Sequence, residues 1–193
     1  MTPGVKYELN GPGVEKELWR QETTYRLSGG FNLDTTNLQE GVKIPPAAPL
    51  AIDFATRKAV VCKNVAVIEA AASGATSIKV GKGSFAYVGM FLGNGTQGVT
   101  VSAIDKTNAS YDLLTISATT AAISEGTILF ESAADGGTTV KNKAFALNYA
   151  WTKVEAGVTV TAVGQAYEIQ EAKLYVPISQ KDKYNLGSRF MFV

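Results

Sequence analysis

The middle of the chain, from residue 59 to residue 135, consists of short apolar runs separated by Gly, Asn, Ser and Asp. The runs are AVVCKNVAVIEA, SIKVG, YVGMFLG, VTVSAIDK, YDLLTIS and TILFES. They are rich in β-branched and aromatic residues and have the length of strands, so each is predicted to form a β-strand. Their spacing predicts a small antiparallel barrel or sandwich.

The same pattern continues through residues 136–193, after a break at Gly136-Gly137. The strand-like runs here are FALNYAWTKV, VTVTAVGQAYEI, KLYVPI and SRFMFV. In the second run, alternation predicts that Val158, Val160 and Ala162 face one side of a sheet. Thr159, Thr161 and Val163 are expected to face the other side.

The last four residues, Phe190–Val193, are too apolar to be left in water. We therefore expect them to pair in a sheet or at a subunit interface. Residues 59–193 are predicted to form a mainly β body, with 59–135 as a small β-domain. Residues 136–193 supply closing strands, which belong either to the same domain or to a second one.

Residues 1–58 show no sustained periodicity and carry Gly and Pro at intervals. They end in IPPAAPLAIDF, whose prolines favour an extended path, so we predict an extended, partly irregular N-terminal arm. Within the arm, VEKELWRQETTYRL is expected to form a short helix with Val14, Leu18 and Tyr25 on one side. A single helical turn is also expected at 118–125, before Gly126.

Four large apolar side chains stand out in this otherwise polar arm. They are Leu18, Trp19, Tyr25 and Phe31. No local core is evident that would bury them, which is typical of side chains that bury against a partner. The alternative is that the arm packs on its own body.

Charge and residue chemistry argue against catalysis and against binding to polyanions. The 18 Lys and Arg residues nearly balance the 17 Asp and Glu residues, so no net field attracts nucleic acid or an anionic membrane. Histidine is absent, which removes the commonest general base and every imidazole metal ligand. The single cysteine, Cys62, lies in an apolar run and is expected to be a buried, inert thiol. We therefore predict a protein that is not an enzyme.

The N-terminal sequence lacks the charged and then apolar layout of a secretory signal, and no run of about 18 apolar residues is present. We therefore expect synthesis in the cytoplasm and no association with a membrane. The two Asn-x-Ser/Thr sequences, at Asn94 and Asn108, are then expected to be turns and not glycosylation sites.

Two glycine motifs resemble dinucleotide-binding loops, at Gly93–Gly98 (GNGTQG) and at Gly81–Ala86 (GKGSFA). A dinucleotide site needs these glycines to open a helix whose first turn holds the phosphates. Each motif is instead followed by strand-like sequence, so both are predicted to be turns. No cofactor is expected.

The acidic and basic residues of the loops suggest no site either. Asp34, Asp105 and Asp112 do not have the alternating spacing of a calcium loop and are expected to be turn carboxylates in water. No metal is expected. Three lysines form a predicted solvated face without the interleaved aromatics of a nucleic-acid site: Lys79, Lys82 and Lys106.

The strings VAVIEAAASGATSIKVGKGSFAYVGMFLGNG and VTVSAIDKTNASYDLLTISATTAAISEGTILFES, at 65–131, resemble the small β-domain of phage head-fibre and capsid-decoration proteins. NKAFALNYAWTKVEAGVTVTAVGQAYEI and AKLYVPIS are similar to the closing strands of phage head proteins. The resemblance covers about two thirds of the chain. It implies a virion protein on the outer surface of the capsid, bound to the major capsid protein and commonly trimeric. Residues 1–58 are then the expected capsid-binding region, with Leu18, Trp19, Tyr25 and Phe31 as its contacts.

A second hypothesis is that the protein is a module that binds host-surface glycans. The loops at 93–98 and 106–111, with Tyr87 and Tyr111 near turns, are the candidates for that role. A carboxylate-based glycosidase comes third, since no Asp or Glu lies in a recognisable catalytic context.

Overall fold

The computed structural model describes residues 16–193. Sixteen short strands, three 3-10 helices and one short α-helix make up the regular structure of these residues. The mainly β class predicted from the sequence is confirmed. Most of the strands belong to two curled sheets, and a two-stranded pair, β3 with β13, lies outside them.

The larger sheet has eight strands and draws them from both ends of the described chain. Its strand order is β1-β15-β12-β4-β5-β2-β14, and β16 pairs with β15. The strands are β1 (Tyr25–Arg26), β2 (Phe31–Leu33), β4 (Pro49–Asp53), β5 (Lys58–Val61), β12 (Ala146–Asn148), β14 (Thr159–Val160), β15 (Ala162–Ile169) and β16 (Phe190–Phe192). Two pairs are parallel, β2 with β5 and β15 with β16. β14 and β15 are near opposite ends of the strand order, yet only Thr161 separates them in the chain. The two ends of the sheet must therefore lie close together, so the sheet is curled.

The smaller sheet has six antiparallel strands in the order β6-β11-β8-β9-β10-β7. They are β6 (Asn64–Ala66), β7 (Ser77–Gly81), β8 (Phe91–Gly93), β9 (Gly98–Asp105), β10 (Tyr111–Ile116) and β11 (Ile128–Glu131). An antiparallel bridge between Val67 and Val80 joins the two edges, so the sheet curls back on itself. The small sheet is formed by strands between residues 64 and 131, whereas residues 59–61 lie in β5 of the large sheet.

Three apolar clusters hold the described part of the chain together. The first fills the small sheet, where alternate residues such as Val99, Val101 and Leu114 point inward. The other two lie on opposite faces of the large sheet. Val160 and Ala162 belong to one of them, and Val163 belongs to the other, so the predicted alternation is confirmed. Burial of each large side chain stabilises the fold by about 1.5–3 kcal/mol.

The only α-helix among residues 16–193 is α1 (Gln180–Leu186). Ser179 and Asp182 form a capping box at its start, in which each side chain accepts a hydrogen bond from the other's backbone N–H. Gly187, with a φ of 65°, ends it. No helix in the described range is long and apolar enough to cross a membrane.

Several local predictions were wrong. The helix expected at 14–27 is replaced, in its described part, by a 3-10 turn at Gln21–Thr23 and strand β1; Val14 lies outside the described residues. Residues 118–125 contain no helical turn, because Ile123 pairs with Ala71 across the small sheet. KLYVPI forms no strand and instead follows the 3-10 turn Glu171–Lys173.

The described part of the predicted arm takes part in the body. Within residues 16–58 the chain contributes β1 to β4, where β3 is Lys43–Ile44 and pairs with β13 (Thr152–Lys153). Ile44 and Leu50 are fully buried there. The boundary expected at residue 58 therefore falls inside the large sheet, because β5 begins at Lys58 and pairs with both β2 and β4.

The C-terminal residues behave as their composition predicted. β16 (Phe190–Phe192) lies beside β15, with Phe190 opposite Ala166 and Phe192 opposite Ile169. Phe190 is buried, while Met191 and Val193 are half-exposed. The prediction that this apolar end pairs into a sheet is confirmed.

Candidate functional site

Three of the four predicted contact residues are part of the core. Leu18, Trp19 and Phe31 are each at most 5% exposed, whereas Tyr25 is 68% exposed. Leu18 and Trp19 pack in the cluster that contains Ile169. The core around Leu18 and Trp19 comes largely from residues 144–190, and Phe31 packs in a second cluster with residues of β4 and β5, so the sequence around each side chain did not show its burial. Of the four, only Tyr25 is available to a partner on the described surface.

Phe31 is enclosed by side chains from its own sheet and the adjoining loops. Its ring meets that of Phe54 edge to face at 5.8 Å between centroids, and Phe54 meets Phe145 in the same way at 5.2 Å. The Arg57 guanidinium lies 4.2 Å from the Phe31 ring centroid and donates hydrogen bonds to the carbonyl oxygens of Ser28 and Gly30. These contacts stabilise the turn between β1 and β2.

The described surface carries a cleft of about 260 Å³ that we call the aromatic cleft. Its walls include the rings of Tyr149, Trp151 and Tyr175. Trp151 is 52% exposed and Tyr175 is 39% exposed; their centroids are 4.8 Å apart and their planes are inclined at 60°. The Lys16 ammonium group lies 4.8 Å from the Tyr175 centroid. The remaining lining comes from Leu18, Trp19, Gln21, Pro46 and Ala150.

A buried amide holds the wall of the aromatic cleft in place. Asn148 is fully buried, and its Nδ2 donates hydrogen bonds to the carbonyl oxygens of Ile44, Pro45 and Ala150, at 3.3, 3.0 and 2.7 Å, with one of its two N–H groups shared between two acceptors. The amide thereby ties the turn that carries Tyr149 and Trp151 to the loop that carries Pro46. A rigid frame of this kind fixes the relative positions of the aromatic rings.

A second cluster, which we call the polar junction, lies where the two sheets meet. Glu131, at the end of β11, is buried; its Oε1 accepts hydrogen bonds from the Tyr87 hydroxyl at 2.5 Å and the Lys141 Nζ at 2.8 Å. Buried Lys63, in the connection from β5 to β6, lies 3.8 Å from its Oε2. Burial lowers the pKa of Lys63, and burial together with the bond to Glu131 raises the pKa of Tyr87. The hydrogen bond with Glu131 also raises the pKa of Lys141.

The same junction contains a buried carboxyl group on α1. Asp182 Oδ2 accepts hydrogen bonds from Asn64 Nδ2 and Ser179 Oγ, both at 2.7 Å. Burial raises the pKa of Asp182 above its ordinary value, although these hydrogen bonds act in the opposite direction. Nearby, Cys62 is buried and burial raises the pKa of its thiol, so the expectation of a buried thiol is confirmed.

The predicted turn carboxylates divide into two kinds. Asp105 is exposed and accepts a hydrogen bond from the Thr107 backbone N–H at 2.8 Å, as a turn residue does. Asp34 does the same with Thr36. Asp112 is fully buried, so the prediction that it lies in water was wrong; the loop after β7 folds over it. No group of acidic and cysteine residues suited to a metal ion occurs in the described residues.

The glycine motifs are turns, as the sequence predicted. Gly93 and Gly98 pair with each other at the end of the β8–β9 hairpin, and Gly83 adopts a φ of 75° after β7. A Cβ atom at Gly93 or Gly98 would collide with the backbone at Gly137. Close backbone packing therefore explains Gly93 and Gly98, and a φ of 99° explains Gly95.

The loops favoured for glycan binding have much of their polar capacity in use. The side chain of Asn94 accepts hydrogen bonds from the backbone N–H groups of Thr96 and Gln97. Tyr87 is bound to Glu131 in the polar junction, and the Tyr111 ring lies 5.3 Å below the Lys79 ammonium group. Glycan binding by these loops stays a prediction.

The three lysines of the predicted solvated face make local contacts. Lys79 is bound to Glu69 at 2.6 Å, and Lys82 donates to the Lys106 carbonyl oxygen at 2.6 Å and lies 3.1 Å from Asp112. The exposed Lys79–Glu69 pair adds little to stability because water screens it.

Sequence reasoning missed the aromatic cleft and its supporting amide. The pattern of NYAW, residues 148–151, predicts part of a strand, yet the stretch holds a buried asparagine, a part-buried tyrosine and an exposed tryptophan. An asparagine between strand-like residues, followed by a tryptophan, was the available signal. Its meaning depended on the Pro45-Pro46 loop, which lies about a hundred residues earlier in the chain.

Comparison with known protein families identifies a match over most of the chain. The model of the head fiber protein family matches residues 4–191 of the 193-residue chain. No curated protein and no solved structure matches significantly. The match agrees with the sequence resemblance, with the β-rich fold and with the non-enzymatic, structural role of such proteins. Because the family match spans nearly the whole chain, this protein belongs to the phage head fiber protein family.

Proposed function

We propose that this protein attaches to the outside of an assembled phage head, where it contacts the major capsid protein and stabilises the shell or displays its β-rich body. The match to the head fiber family over residues 4–191 is the observation that carries this proposal. A protein that binds only the assembled lattice stabilises it by mass action, and many identical copies multiply a modest contact.

The N-terminal region, residues 1–58, is the proposed attachment region. Tyr25 supports this assignment, because it is the most exposed aromatic of residues 16–58 and lies in β1 at an edge of the large sheet. Leu18 and Trp19 support the assignment as anchors of the chain and not as contacts with the capsid. Their burial anchors the chain to the body directly after residue 15, so a force on the N-terminus is transmitted to the core.

Cosedimentation with phage heads that lack this protein tests the proposal. The informative variants are a deletion of residues 1–15, which removes none of the described contacts, and Tyr25→Ala. Tyr184→Ala is the matched control, because Tyr184 is 84% exposed but lies on α1. We expect saturable binding of the intact protein, weakened by the deletion and by Tyr25→Ala and unchanged in the control.

Two results would count against this proposal. Failure of the folded intact protein to bind heads contradicts attachment itself. Full binding by both N-terminal variants retains attachment but places the docking surface elsewhere on the body.

We further propose that the protein is a trimer, the state that the family resemblance implies. Light scattering coupled to gel filtration measures the mass of the free protein, and a trimer has three times the chain mass of 20.4 kDa. A monomer at micromolar concentration contradicts this assignment, because a preassembled fibre is stable without the capsid.

A further inference from the structure

We propose that the aromatic cleft, formed by Tyr149, Trp151 and Tyr175 with Gln21 and Lys16, is a carbohydrate-binding site. This inference is independent of attachment to the head. It also places the glycan site away from the hairpin loops at 93–98 and 106–111, where the side chains of Asn94, Gln97 and Asn108 form hydrogen bonds within the protein.

The ring geometry suits a sugar. Trp151 and Tyr175 are both partly exposed, and their rings contact each other edge to face, with centroids 4.8 Å apart and planes inclined at 60°, so together they form one aromatic wall of the cleft. The C–H groups on one side of a pyranose ring carry partial positive charge, and the face of an aromatic ring is negative. At about 260 Å³ the cleft has room for a mono- or disaccharide unit and is too small for a folded segment of protein.

Polar groups beside the rings are suited to binding sugar hydroxyls. Within residues 16–193, the side chains of Gln21, Tyr149, Trp151 and Tyr175 form no hydrogen bonds to the protein. They offer an amide, two phenol hydroxyls and an indole N–H around the cleft, a neutral set of donors and acceptors that matches sugar hydroxyls. A purely apolar peptide would leave these groups unpaired at a cost in affinity.

The charge of the cleft limits the kinds of sugar that can bind. Lys16 is the only charged residue that lines the cleft within the described range, and it carries a positive charge beside Tyr175. A neutral or acidic sugar is compatible with this environment, whereas a cationic amino sugar is repelled.

The cleft is also preorganised. Buried Asn148 fixes the turn that carries Tyr149 and Trp151 through its three hydrogen bonds, and Trp19 beneath them is buried in the core. A rigid site loses little conformational entropy when it binds a ligand, which is required for a small sugar that makes few contacts.

Titration of the full-length protein with soluble oligosaccharides tests this inference. The probes are oligomers of glucose, galactose and N-acetylglucosamine as neutral sugars, oligogalacturonate as an acidic sugar, and chitosan oligomers as a cationic sugar. Tryptophan fluorescence reports binding, and saturation-transfer NMR identifies the protons of the sugar that contact the protein. We expect at least one neutral or acidic probe to bind at millimolar concentration or below, and the chitosan oligomers to bind more weakly.

Matched variants locate the site. Trp151→Ala and Tyr175→Ala are expected to weaken binding about tenfold or more, because each removes part of the aromatic wall. Tyr184→Ala removes an exposed aromatic outside the cleft and is expected to leave binding unchanged. Circular dichroism of each variant verifies that the fold is retained, and NMR replaces fluorescence for Trp151→Ala.

Three outcomes overturn the inference. They are no binding of any probe by the folded protein, preferential binding of the chitosan oligomers, and binding that persists unchanged in both cleft variants. If no probe binds and Trp151→Ala instead weakens cosedimentation with heads, the cleft is a protein contact surface. Head attachment then stands while the carbohydrate site fails, so the two proposals are distinguished.

Discussion

Asp112 illustrates how one residue fixes a loop in the small sheet. Its Oδ2 accepts hydrogen bonds from the backbone N–H groups of Gly83 and Ser84 and from the Ser84 hydroxyl, each at 3.1 Å. The Lys82 ammonium group lies 3.1 Å from Oδ1. A fully buried carboxylate is tolerated here because three donors and a cation surround it.

We expect Asp112→Ala to lower the free energy of unfolding by about 2 kcal/mol, because it removes the buried acceptor of three part-buried hydrogen bonds and the partner of Lys82. Urea unfolding followed by circular dichroism measures the change. Asp105→Ala is the control at an exposed turn in the same sheet, and a small effect is expected there. Equal effects of the two substitutions would contradict the structural role given to Asp112.

At the level of elements, the β8–β9 hairpin and the loop at 135–137 are packed backbone against backbone. Gly98 in β9 is in direct contact with the backbone of Asp135 and Gly137, so no side chain fits between them. Gly136, in the same loop, faces open space and does not adopt a positive φ. Substitution of Gly98 therefore tests the steric requirement for a glycine, and substitution of Gly136 tests only the effect of restricting the loop.

We expect Gly98→Ala to destabilise the protein by about 2–3 kcal/mol, because the added methyl group forces the hairpin and the loop apart. Gly136→Ala is expected to be neutral or slightly stabilising, since it only restricts the unfolded chain. Thermal unfolding of both variants measures the two melting temperatures that are compared. Similar melting temperatures for the two would show that the loop can move away.

The start of α1 provides a pH-dependent element. Burial raises the pKa of Asp182 in the folded protein above the ordinary value of 3.8. The folded state therefore holds this proton more tightly than the unfolded state does. The stability that comes from this difference is fully present below pH 3.8 and is lost as the pH rises through the folded pKa.

We therefore expect Asp182→Asn to reduce the fall in stability between about pH 4 and pH 7, because asparagine cannot ionise. The amide oxygen still accepts from Ser179 and Asn64. Urea midpoints of the wild type and the variant across this pH range give the comparison. Parallel pH profiles would show that Asp182 titrates normally in the folded protein.

At the scale of the whole molecule, the polar junction links the two sheets. Lys63 lies between β5 of the large sheet and β6 of the small sheet, and its buried ammonium group has the Glu131 carboxylate as its partner. Both tryptophans, Trp19 and Trp151, lie outside the small sheet. Fluorescence therefore reports the large sheet, while circular dichroism reports both.

We expect Glu131→Ala to destabilise the protein by about 3 kcal/mol, because Lys63 is left as an unpaired buried charge. The small sheet, which contains Glu131, is expected to unfold first, so the transition by circular dichroism precedes the one by fluorescence. In the wild type the two transitions are expected to coincide. Glu125→Ala, at an exposed position in the same part of the chain, is the control; coincident transitions in Glu131→Ala would contradict this coupling.

The strands of the small sheet were predictable because their signal is local. Alternation within VTVSAID and YDLLTIS reflects which side of a strand faces a core, and each run carries that information by itself. The strands of residues 16–58 were not predictable in this way. They are two to five residues long and lie among prolines and glycines, so pairing with distant strands, and not local pattern, creates them.

The sequence indicated which type of residue would form the candidate site, but not which positions would form it. Composition indicated that accessible aromatic side chains would mediate binding, but it selected Trp19, which β15 helps to bury, and Phe31, which the neighbouring strand β5 helps to bury. Trp151 and Tyr175, which are 24 positions apart in the printed sequence, become one cleft only in the folded chain.

The sequence alone determined the β-rich class, the turn glycines, the buried thiol and the resemblance to head-fibre proteins, because periodicity, turn residues and composition are properties of neighbouring positions. The tertiary structure decided which aromatic residues are exposed, which carboxylates are buried, and that residues 16–58 share a sheet with the C-terminal strands. Burial is a property of contacts between segments far apart in the chain. No local pattern specifies those contacts, because the free energy that selects them arises only when the segments meet.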